Sequence, residues 1–258
     1  MSKTLFIGAD PEIFLQDAAA GGLVASIGLI GGSKEHPRPL PIGDGYAVQE
    51  DNVALEYNIP PAASAAQLVD HINKAMAHLS QEVGAMGLKF SYESAAFFPA
   101  DQLIHPNALE FGCDPDYNAW TGEMNPRPSA ADKTLRSCGG HVHVGRKVKD
   151  VLKSVKLCDL FLGVPSTVLD KGQLRKQLYG KKGAFRPKPY GFEYRVLSNY
   201  WVFRDNLIQL VYNNTRLALD SEHIDVDEEE QAIEDAINGN NLDAAKYLIA
   251  KYSIPMGV

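Results

Sequence analysis

The sequence has little cysteine and no long apolar run. Its three cysteines, Cys113, Cys138 and Cys158, are odd in number, far apart and without a C-x-x-C pair, which argues against a disulfide framework or a zinc ribbon. No stretch approaches the roughly 18 apolar residues that a membrane helix requires, and the first ten residues lack the features of a signal peptide. We therefore expect a protein of a reducing cytoplasm that does not contact a membrane.

An excess of positive charge is also missing. Lysine and arginine number 25 against 32 acidic residues, which gives a formal net charge of −7. Nucleic-acid binding without sequence preference needs a basic face that displaces counterions, so we expect no nucleic-acid partner. A length of 258 residues with 45% hydrophobic residues is enough for one large core and excludes a disordered chain.

Residue patterns predict an α+β protein. Strand-like runs cover residues 5–15, with a break at Pro11, and residues 48–59, 88–98, 141–144 and 191–197. Helical patterns begin at Ser64, which fits a capping box with Gln67, and end near Gly84 or Gly87; two more cover residues 148–162 and 203–219. Five prolines predict long loops over residues 99–135. The acidic run after Ser221 is typical of a solvated helix start.

Two segments carry carboxylates on one face of an extended chain. Asp10 and Glu12 are two residues apart and would point the same way, either as a pair for a divalent cation or on the solvent face of an edge strand. The run over residues 48–59, taken as a single strand, leaves Glu50, Asn52, Glu56 and Asn58 on a polar face. That face either lines a site or is exposed to water.

Two later segments carry imidazoles and cations. His141 and His143 share a strand face between glycines, which favours a metal or phosphate site over two core histidines. Histidine and carboxylates without cysteine suit Mg²⁺, Mn²⁺ or Zn²⁺. Residues 179–191 mix Gly and Pro with four cations, typical either of a polyphosphate site or of a mobile surface loop, and they lead into a Glu193-x-Arg195 strand. The four cations are Lys181, Lys182, Arg186 and Lys188. Together the segments provide what is needed to hold metal–ATP over a sheet.

The order of these motifs resembles the phage-type carboxylate–amine ligases, also called amidoligase type 2 proteins. The resemblance covers about residues 5–217 and includes Gly-Ala-Asp-Pro-Glu (8–12), Asp-Asn-Val-Ala-Leu-Glu-Tyr-Asn (51–58), Gly-Cys-Asp-Pro-Asp-Tyr-Asn (112–118), Gly-Gly-His-Val-His-Val-Gly (139–145), Tyr-Gly-Lys-Lys-Gly-Ala-Phe-Arg-Pro-Lys (179–188) and Glu-Tyr-Arg-Val-Leu-Ser-Asn (193–199). The family is a distant relative of glutamine synthetase and γ-glutamylcysteine ligase.

The resemblance implies a curved, mostly antiparallel sheet with helices on its outer face, and a concave face that binds ATP with two or three Mg²⁺ ions, or Mn²⁺. It implies a catalytic domain over residues 1–220; residues 221–258 lie outside the resemblance, and we expect an acidic helical tail that packs on this domain or extends from it. The implied metal ligands are Asp10, Glu12, Glu56, His141 and Glu193. The implied nucleotide contacts are His143, Lys181, Arg186 and Lys188, and Arg186 and Arg195 would stabilise the transferring phosphoryl group or bind the acceptor.

The reaction implied by the resemblance has two steps. A substrate carboxylate attacks the γ-phosphate of ATP to form an acyl phosphate, and an amine then displaces phosphate to form an amide. The acid and the amine would belong to an amino acid, a peptide or a protein, in the cytoplasm of a bacterial host if the protein is phage-encoded. Three alternatives stay open: a His-x-His metallohydrolase, a binding or structural protein that retained the fold, and a kinase-like transferase that releases a stable phosphorylated product.

Overall fold

The computed structural model describes residues 4–109, 116–128 and 131–257, and within them every strand pair is antiparallel. The architecture is α+β, as the sequence predicts. The strands are β1 (Phe6–Ala9), β2 (Glu12–Ile13), β3 (Leu15–Asp17), β4 (Leu23–Val24), β5 (Arg38–Pro39), β6 (Ala47–Asp51), β7 (Ala54–Asn58), β8 (Leu88–Phe90), β9 (Ala95–Phe97), β10 (Tyr117–Asn118), β11 (Leu135–Ser137), β12 (Val142–Gly145), β13 (Ala184–Lys188) and β14 (Gly191–Tyr194). The α-helices are α1 (Ala65–Ala85), α2 (Pro106–Leu109), α3 (Val151–Cys158), α4 (Val164–Leu169), α5 (Asp205–Asp220), α6 (Glu230–Ile237) and α7 (Leu242–Lys251).

The strands form several sheets rather than one. A five-stranded sheet has the order β1-β12-β14-β13-β10, and a four-stranded sheet has the order β2-β7-β6-β5. Smaller sheets are β4-β3-β8 and β11-β9. The predicted strand over residues 5–15 is three short strands in three different sheets, because the chain leaves the first sheet at Asp10 and Pro11. The predicted strand over residues 88–98 is likewise two strands, β8 and β9.

The prediction of one strand over residues 48–59 is wrong. These residues form the hairpin β6–β7, which turns at Asn52 and Val53. Asn52 has φ +56°, a left-handed conformation that asparagine tolerates better than most residues. The turn moves Glu50 away from Glu56: Gln49 lies opposite Glu56, and Glu50 accepts hydrogen bonds from the amides of Ile30 and Gly31.

The helices follow their local sequence signals with one exception. The Ser64 hydroxyl accepts a hydrogen bond from the Gln67 amide, and α1 ends at Ala85, which confirms the predicted helix. The second predicted helix does not stop at residue 162. After α3 it widens into a π-helical turn, Asp159–Gly163, and continues as α4 through Pro165. Pro165 lies at the start of α4, where a proline costs little helix stability.

The tail after Ser221 forms helices and packs on the rest of the chain. A 3₁₀ turn, Val226–Glu229, leads into α6, so the acidic run does begin a helix. Ile233, Ile237 and Leu248 are fully buried in the same hydrophobic core that contains Ile7, Val144 and other strands' residues. The described parts of the predicted loop region, residues 99–109, 116–128 and 131–135, are mostly irregular apart from short elements such as α2 and β10. No helix among the described residues is long and apolar enough to cross a membrane.

Candidate active site

Strand register in the five-stranded sheet aligns three of the predicted site residues, His143, Glu193 and Arg186, in one row with Gly8. Gly8 lies opposite His143, His143 lies opposite Glu193, and Glu193 lies opposite Arg186. Neighbouring rows of this sheet, such as Ile7, Val144 and Phe192, are buried in the core. Because successive side chains alternate between faces, the row with His143 and Glu193 lies on the face opposite the core. We call it the site face.

A second row on the site face follows from the same alternation. Asp10, His141 and Arg195 are each two residues from a member of the first row, so they project from the same side. Gly8 has no side chain and therefore leaves space in front of His143. The sheet thus converts four separate sequence motifs into one patch of acids, imidazoles and arginines.

The centre of this patch is the histidine cluster, which consists of Asp10, His141, His143 and Glu193. His143 Nε2 lies 3.1 Å from Asp10 Oδ2, and His141 Nδ1 lies 3.3 Å from Asp10 Oδ1 and 3.6 Å from Glu193 Oε1. Donor atoms of Asp10, His143 and Glu193 all lie within 4.8 Å of one another, a spacing suited to a single cation.

Three cationic side chains contact the carboxylate of Glu193. Lys188 Nζ lies 2.8 Å and Arg186 Nη1 lies 3.5 Å from Glu193 Oε2, and Arg195 forms an ion pair with Glu193 Oε1. Glu193 is fully buried. Arg195 also lies 3.5 Å from Asp116 Oδ2, which belongs to the predicted Gly-Cys-Asp-Pro-Asp-Tyr-Asn motif. Residues 112–115 of that motif, including Cys113, lie outside the described residues.

The pKa values in the histidine cluster diverge. Burial opposes ionisation of Asp10, but His143 and His141 overcome it and hold the pKa of this carboxyl well below its usual value. Burial and Asp10 act against ionisation of Glu193 as well, yet Arg195, His141 and His143 lower its pKa to about 2. Burial and the neighbouring Arg195 lower the pKa of His141 to about 4. Burial would lower the pKa of His143, but Asp10 and Glu193 raise it.

A second acidic group, the carboxylate cluster, lies beside the first. Glu12 of β2 is directly opposite Glu56 of β7, and Asp51, at the end of β6, joins them. Oxygen atoms from these three carboxylates also lie within 4.8 Å of one another. Glu12 Oε2 accepts a hydrogen bond of 2.6 Å from the Gly139 amide, and Glu56 Oε2 accepts one of 2.9 Å from Gln49.

Without a bound cation, ionisation of all three acids in the carboxylate cluster is unfavourable. Burial, then repulsion from Asp51, raises the pKa of Glu12 to about 8. Burial, then Asp10, Asp51 and Glu12, raises the pKa of Glu56 well above its usual value. Burial also raises the pKa of Asp51. A divalent cation favours the ionised form of all three, because its charge outweighs the repulsion between them.

The sequence did not identify Asp51 as a site residue. In a single continuous strand Asp51 lies on the apolar face, with Val53, Leu55 and Tyr57. In the hairpin it shares the face of Gln49, which lies opposite Glu56. Arg175 was also missed. It is buried behind the site, donates to the Val196 carbonyl and acts electrostatically on Glu12. An isolated arginine between Leu174 and Lys176 carries no sequence signal for this role.

Two of the predicted loop cations do not join the clusters. Lys181 is exposed, and no described contact links it to the histidine or carboxylate cluster. Lys182 turns away, with its Nζ 2.9 Å from Glu230 and 2.9 Å from Glu234 on α6. Tyr190, which the sequence did not single out, lies at the rim: its hydroxyl is 2.9 Å from His143 Nδ1, and the two rings stack.

The donor atoms present fit a hard divalent cation. Within the described part of the chain, no well-directed hydrogen bond reaches the buried atoms Asp10 Oδ1 and His143 Nε2. Both clusters offer oxygen or imidazole donors and no thiolate, the combination that Mg²⁺ and Mn²⁺ accept. The lowered pKa of His141 keeps that imidazole neutral at pH 7, whereas His143, whose pKa Asp10 and Glu193 raise, has to release its proton before it can bind a metal. The cations Arg186, Lys188 and Arg195 lie beside these donors, where an anion held by the metal would reach them.

Comparison with known proteins gives one match. Residues 130–237 match the protein family described as phage phiEco32-like COOH.NH2 ligase-type 2, and no match was found among curated proteins. The matched segment contains β12, β13 and β14, and with them His141, His143, Arg186, Glu193 and Arg195. It is less than half of the chain, and Asp10 and the carboxylate cluster lie outside it. Over residues 130–237 the chain therefore matches the carboxylate–amine ligase family that its motifs indicated.

Proposed function

We propose that this protein is an ATP-dependent carboxylate–amine ligase that forms an amide through an acyl phosphate. The observation that carries the proposal is the convergence of two acidic clusters, one on the site face and one on the four-stranded sheet, beside Arg186, Lys188 and Arg195. Metal-binding donors beside convergent arginines are the requirement for phosphoryl transfer, and the matched family is described as a ligase of carboxyl and amino groups. ATP, the metal and the substrates are part of the proposal.

The residues of the site would divide into metal ligands and contacts to phosphate or substrate. The histidine cluster and the carboxylate cluster would hold divalent cations, Mg²⁺ or Mn²⁺, which neutralise charge on the phosphates. Arg186 and Lys188, on the strand beside Glu193, would bind phosphate oxygens. Arg195 contacts both Glu193 and Asp116, so it lies where it would reach either the transferring phosphoryl group or the acceptor carboxylate. An arginine suits both tasks because its planar donors pair with two oxygens at once.

The proposed substrates are a carboxylic acid and an amine belonging to an amino acid, a peptide or a protein. An acyl phosphate avoids the poor leaving group of a free carboxylate, since phosphate departs when the amine attacks. Each step balances: the carboxylate oxygen takes the γ-phosphoryl group and ADP leaves, and then the amine nitrogen takes the acyl group while phosphate leaves with the proton lost by nitrogen.

Trapping with hydroxylamine tests this reaction without knowledge of the amine. Hydroxylamine replaces the amine and converts an acyl phosphate into a hydroxamate, which is detected as its iron complex. The protein would be incubated with Mg²⁺, ATP and pools of amino acids and acidic peptides. We expect hydroxamate that depends on ATP, metal and one carboxylate, and a loss on the order of 10²-fold or more in Arg195→Lys, since a point charge does not replace two directed donors.

Two outcomes would contradict the proposal. ATP-dependent formation of a stable phosphorylated product without hydroxamate would identify the kinase-like transferase. Absence of any calorimetric heat for Mg–ATP binding would favour a protein that retained the fold without nucleotide chemistry. A matched control is Arg127→Lys, a change at an exposed arginine that leaves the site face intact.

A further inference from the structure

Asp159 is a buried carboxylate with no place in the proposed chemistry. It is fully buried and belongs to the π-helical turn between α3 and α4. Its side chain accepts three hydrogen bonds: from the Tyr194 hydroxyl to Oδ1 at 2.8 Å, and from the Gly183 amide and Trp120 Nε1 to Oδ2 at 2.6 and 2.7 Å. π-Helical turns interrupt regular helices at a cost and often occur at functional sites.

The three donors belong to parts of the chain that build the site face. Tyr194, the last residue of β14, lies between Glu193 and Arg195, with its ring on the core side. Gly183 is the last residue before β13, the strand that carries Arg186 and Lys188. Trp120 follows β10, the neighbour of β13 in the sheet. Asp159 therefore contacts β14 at Tyr194 and the residue that leads into β13, Gly183, from the core side.

The contact between Gly183 and Asp159 requires glycine at position 183. It has φ +76°, and a Cβ there would lie 2.5 Å from Asn118 Oδ1 and 2.6 Å from Trp120 Cδ1. Only glycine permits so close an approach in a left-handed conformation. The neighbouring residue, Lys182, is anchored from the opposite side: its amide donates to Asn238, and its Nζ pairs with Glu230 and Glu234. The turn that leads into β13 is thus held between Asp159 and α6 together with Asn238, the residue after it.

We propose that Asp159 is a positioning residue of the active site, which fixes the β13–β14 hairpin so that Arg186, Glu193 and Arg195 meet Asp10 and the two histidines. The role of that hairpin in binding metal and nucleotide rests on the proposed function; its mechanical support by Asp159 does not. Asp159 acts through Tyr194 and Gly183 and lies on the core side of the sheet, away from the site face.

Three substitutions separate positioning from a general contribution to stability. Asp159→Ala removes all three acceptors. Tyr194→Phe removes one hydroxyl with little change of shape, so it remains informative if the alanine variant does not fold. Asp159→Asn keeps one acceptor oxygen for Gly183 and Trp120 and presents an amide to the Tyr194 hydroxyl. The matched control is Ser166→Ala, which deletes a buried hydroxyl on α4 that bonds only to the Gly163 carbonyl among the described contacts.

Hydrogen exchange and Mn²⁺ binding provide the readouts. In Asp159→Ala and Tyr194→Phe we expect amides of residues 184–194 to exchange about tenfold faster relative to amides of α1, the change produced by loss of one ordinary hydrogen bond. We expect Mn²⁺ affinity of the folded protein, measured by calorimetry, to fall at least fivefold. Asp159→Asn should restore both to within about twofold of wild type, and Ser166→Ala should alter neither.

Other results are equally decisive. If the variants lose stability while hairpin exchange relative to α1 and Mn²⁺ affinity stay at wild-type values, the role of Asp159 is merely structural and the proposal is overturned. If the wild-type protein does not bind Mn²⁺, the proposed metal site is wrong, and the exchange of the hairpin amides alone decides whether Asp159 positions the hairpin.

Discussion

Glu12 and Glu56 lie directly opposite each other across the antiparallel pair β2–β7. Like charges at such positions destabilise a sheet, and here both carboxyls are also desolvated, which raises their pKa values. Asp51 adds a third acid to the same place. The pair is therefore an unfavourable feature of the folded chain by itself, and it becomes favourable when a proton or a cation lies between the carboxyls.

Glu56→Gln should stabilise the metal-free protein. The substitution removes one charge from the pair and leaves an amide oxygen for Gln49, so the free energy of unfolding at pH 8 in the presence of a chelator should rise by about 1–2 kcal/mol. The wild-type protein should lose stability as the pH rises from about 4 to 8, because a raised folded-state pKa favours the protonated carboxyl. Urea unfolding measures both effects.

The same variant should also fail to respond to metal. Mn²⁺ should raise the melting temperature of wild type, and we expect little or no rise in Glu56→Gln. Glu82→Gln, which alters a surface pair with Arg38, is the control and should respond like wild type. A metal-free Glu56→Gln protein that is no more stable than wild type would show that the carboxylates do not repel one another.

Glu193→Gln should destabilise the protein. Glu193 is the buried anion among Lys188, Arg186 and Arg195, and removal of one partner from a buried ionic network typically costs about 3–5 kcal/mol. The folded-state pKa of Glu193 is lowered to about 2, so its contribution is present above the unfolded pKa and is lost as the pH falls towards 2. The difference between variant and wild type should therefore be smaller at pH 3 than at pH 7.

Urea unfolding at the two pH values checks this prediction, with the exposed residue Glu123 changed to Gln as a control. Equal stability of wild type and Glu193→Gln at pH 7 would mean that the negative charge of Glu193 is not needed to stabilise the surrounding cations. It would also weaken the view that the histidine cluster is held together by charge.

Gly139→Ala should disturb His141, whereas Gly8→Ala should be tolerated. A Cβ at Gly139 would lie 2.4 Å from His141 Nε2, so the imidazole has to move. A Cβ at Gly8 would lie 3.6 Å from His143 Cβ, an ordinary contact. We expect Gly139→Ala to weaken Mn²⁺ binding about tenfold or more and Gly8→Ala to change it less than threefold in calorimetry. Equal effects of the two alanines would argue against a role for the His141 position.

Asp159 should make stability and tryptophan emission depend on pH. Burial raises the pKa of this carboxyl to about 7, against the opposing effects of Trp120, Tyr194, Gly183 and Lys182. Its other charged or titratable neighbours are Cys158 and Lys176. Since the folded-state pKa is raised, the stabilising contribution is complete below the unfolded pKa and declines by up to roughly 1.4 kcal/mol per pH unit between about pH 4 and pH 7.

The measurement uses the contact between Asp159 and the Trp120 indole. Wild-type emission should titrate near pH 7, and Asp159→Asn should abolish that transition and flatten the corresponding slope in urea unfolding. A transition of the same size and midpoint in Asp159→Asn would assign the titration to another group. The histidines of the site face are the first candidates, because Trp201 donates to the Gly140 carbonyl beside them.

Elements with local signals are predictable from the amino-acid sequence. Helix α1 follows from the Ser64 cap and an apolar face of helical spacing. Alternation along a strand also predicts that His141 and His143 share one face of their strand, and that Glu193 and Arg195 share one face of theirs. The order of motifs identified the family that residues 130–237 match. These features depend on residues close together in the chain, so the pattern of side chains is sufficient to predict them.

Which of these residues come into contact depends on strand register and packing. Register between β12 and β14 places His143 opposite Glu193, and the turn at Asn52, without glycine, brings Asp51 to Glu12 and Glu56. Asp159 has no distinguishing neighbours in the sequence, and Asp51, although it begins one of the motifs, has no spacing that connects it to Glu12. Their environments are created by contacts between segments that are far apart in the chain. The geometry of these contacts depends on how whole sheets and helices pack, so the spacing of neighbouring residues does not predict it.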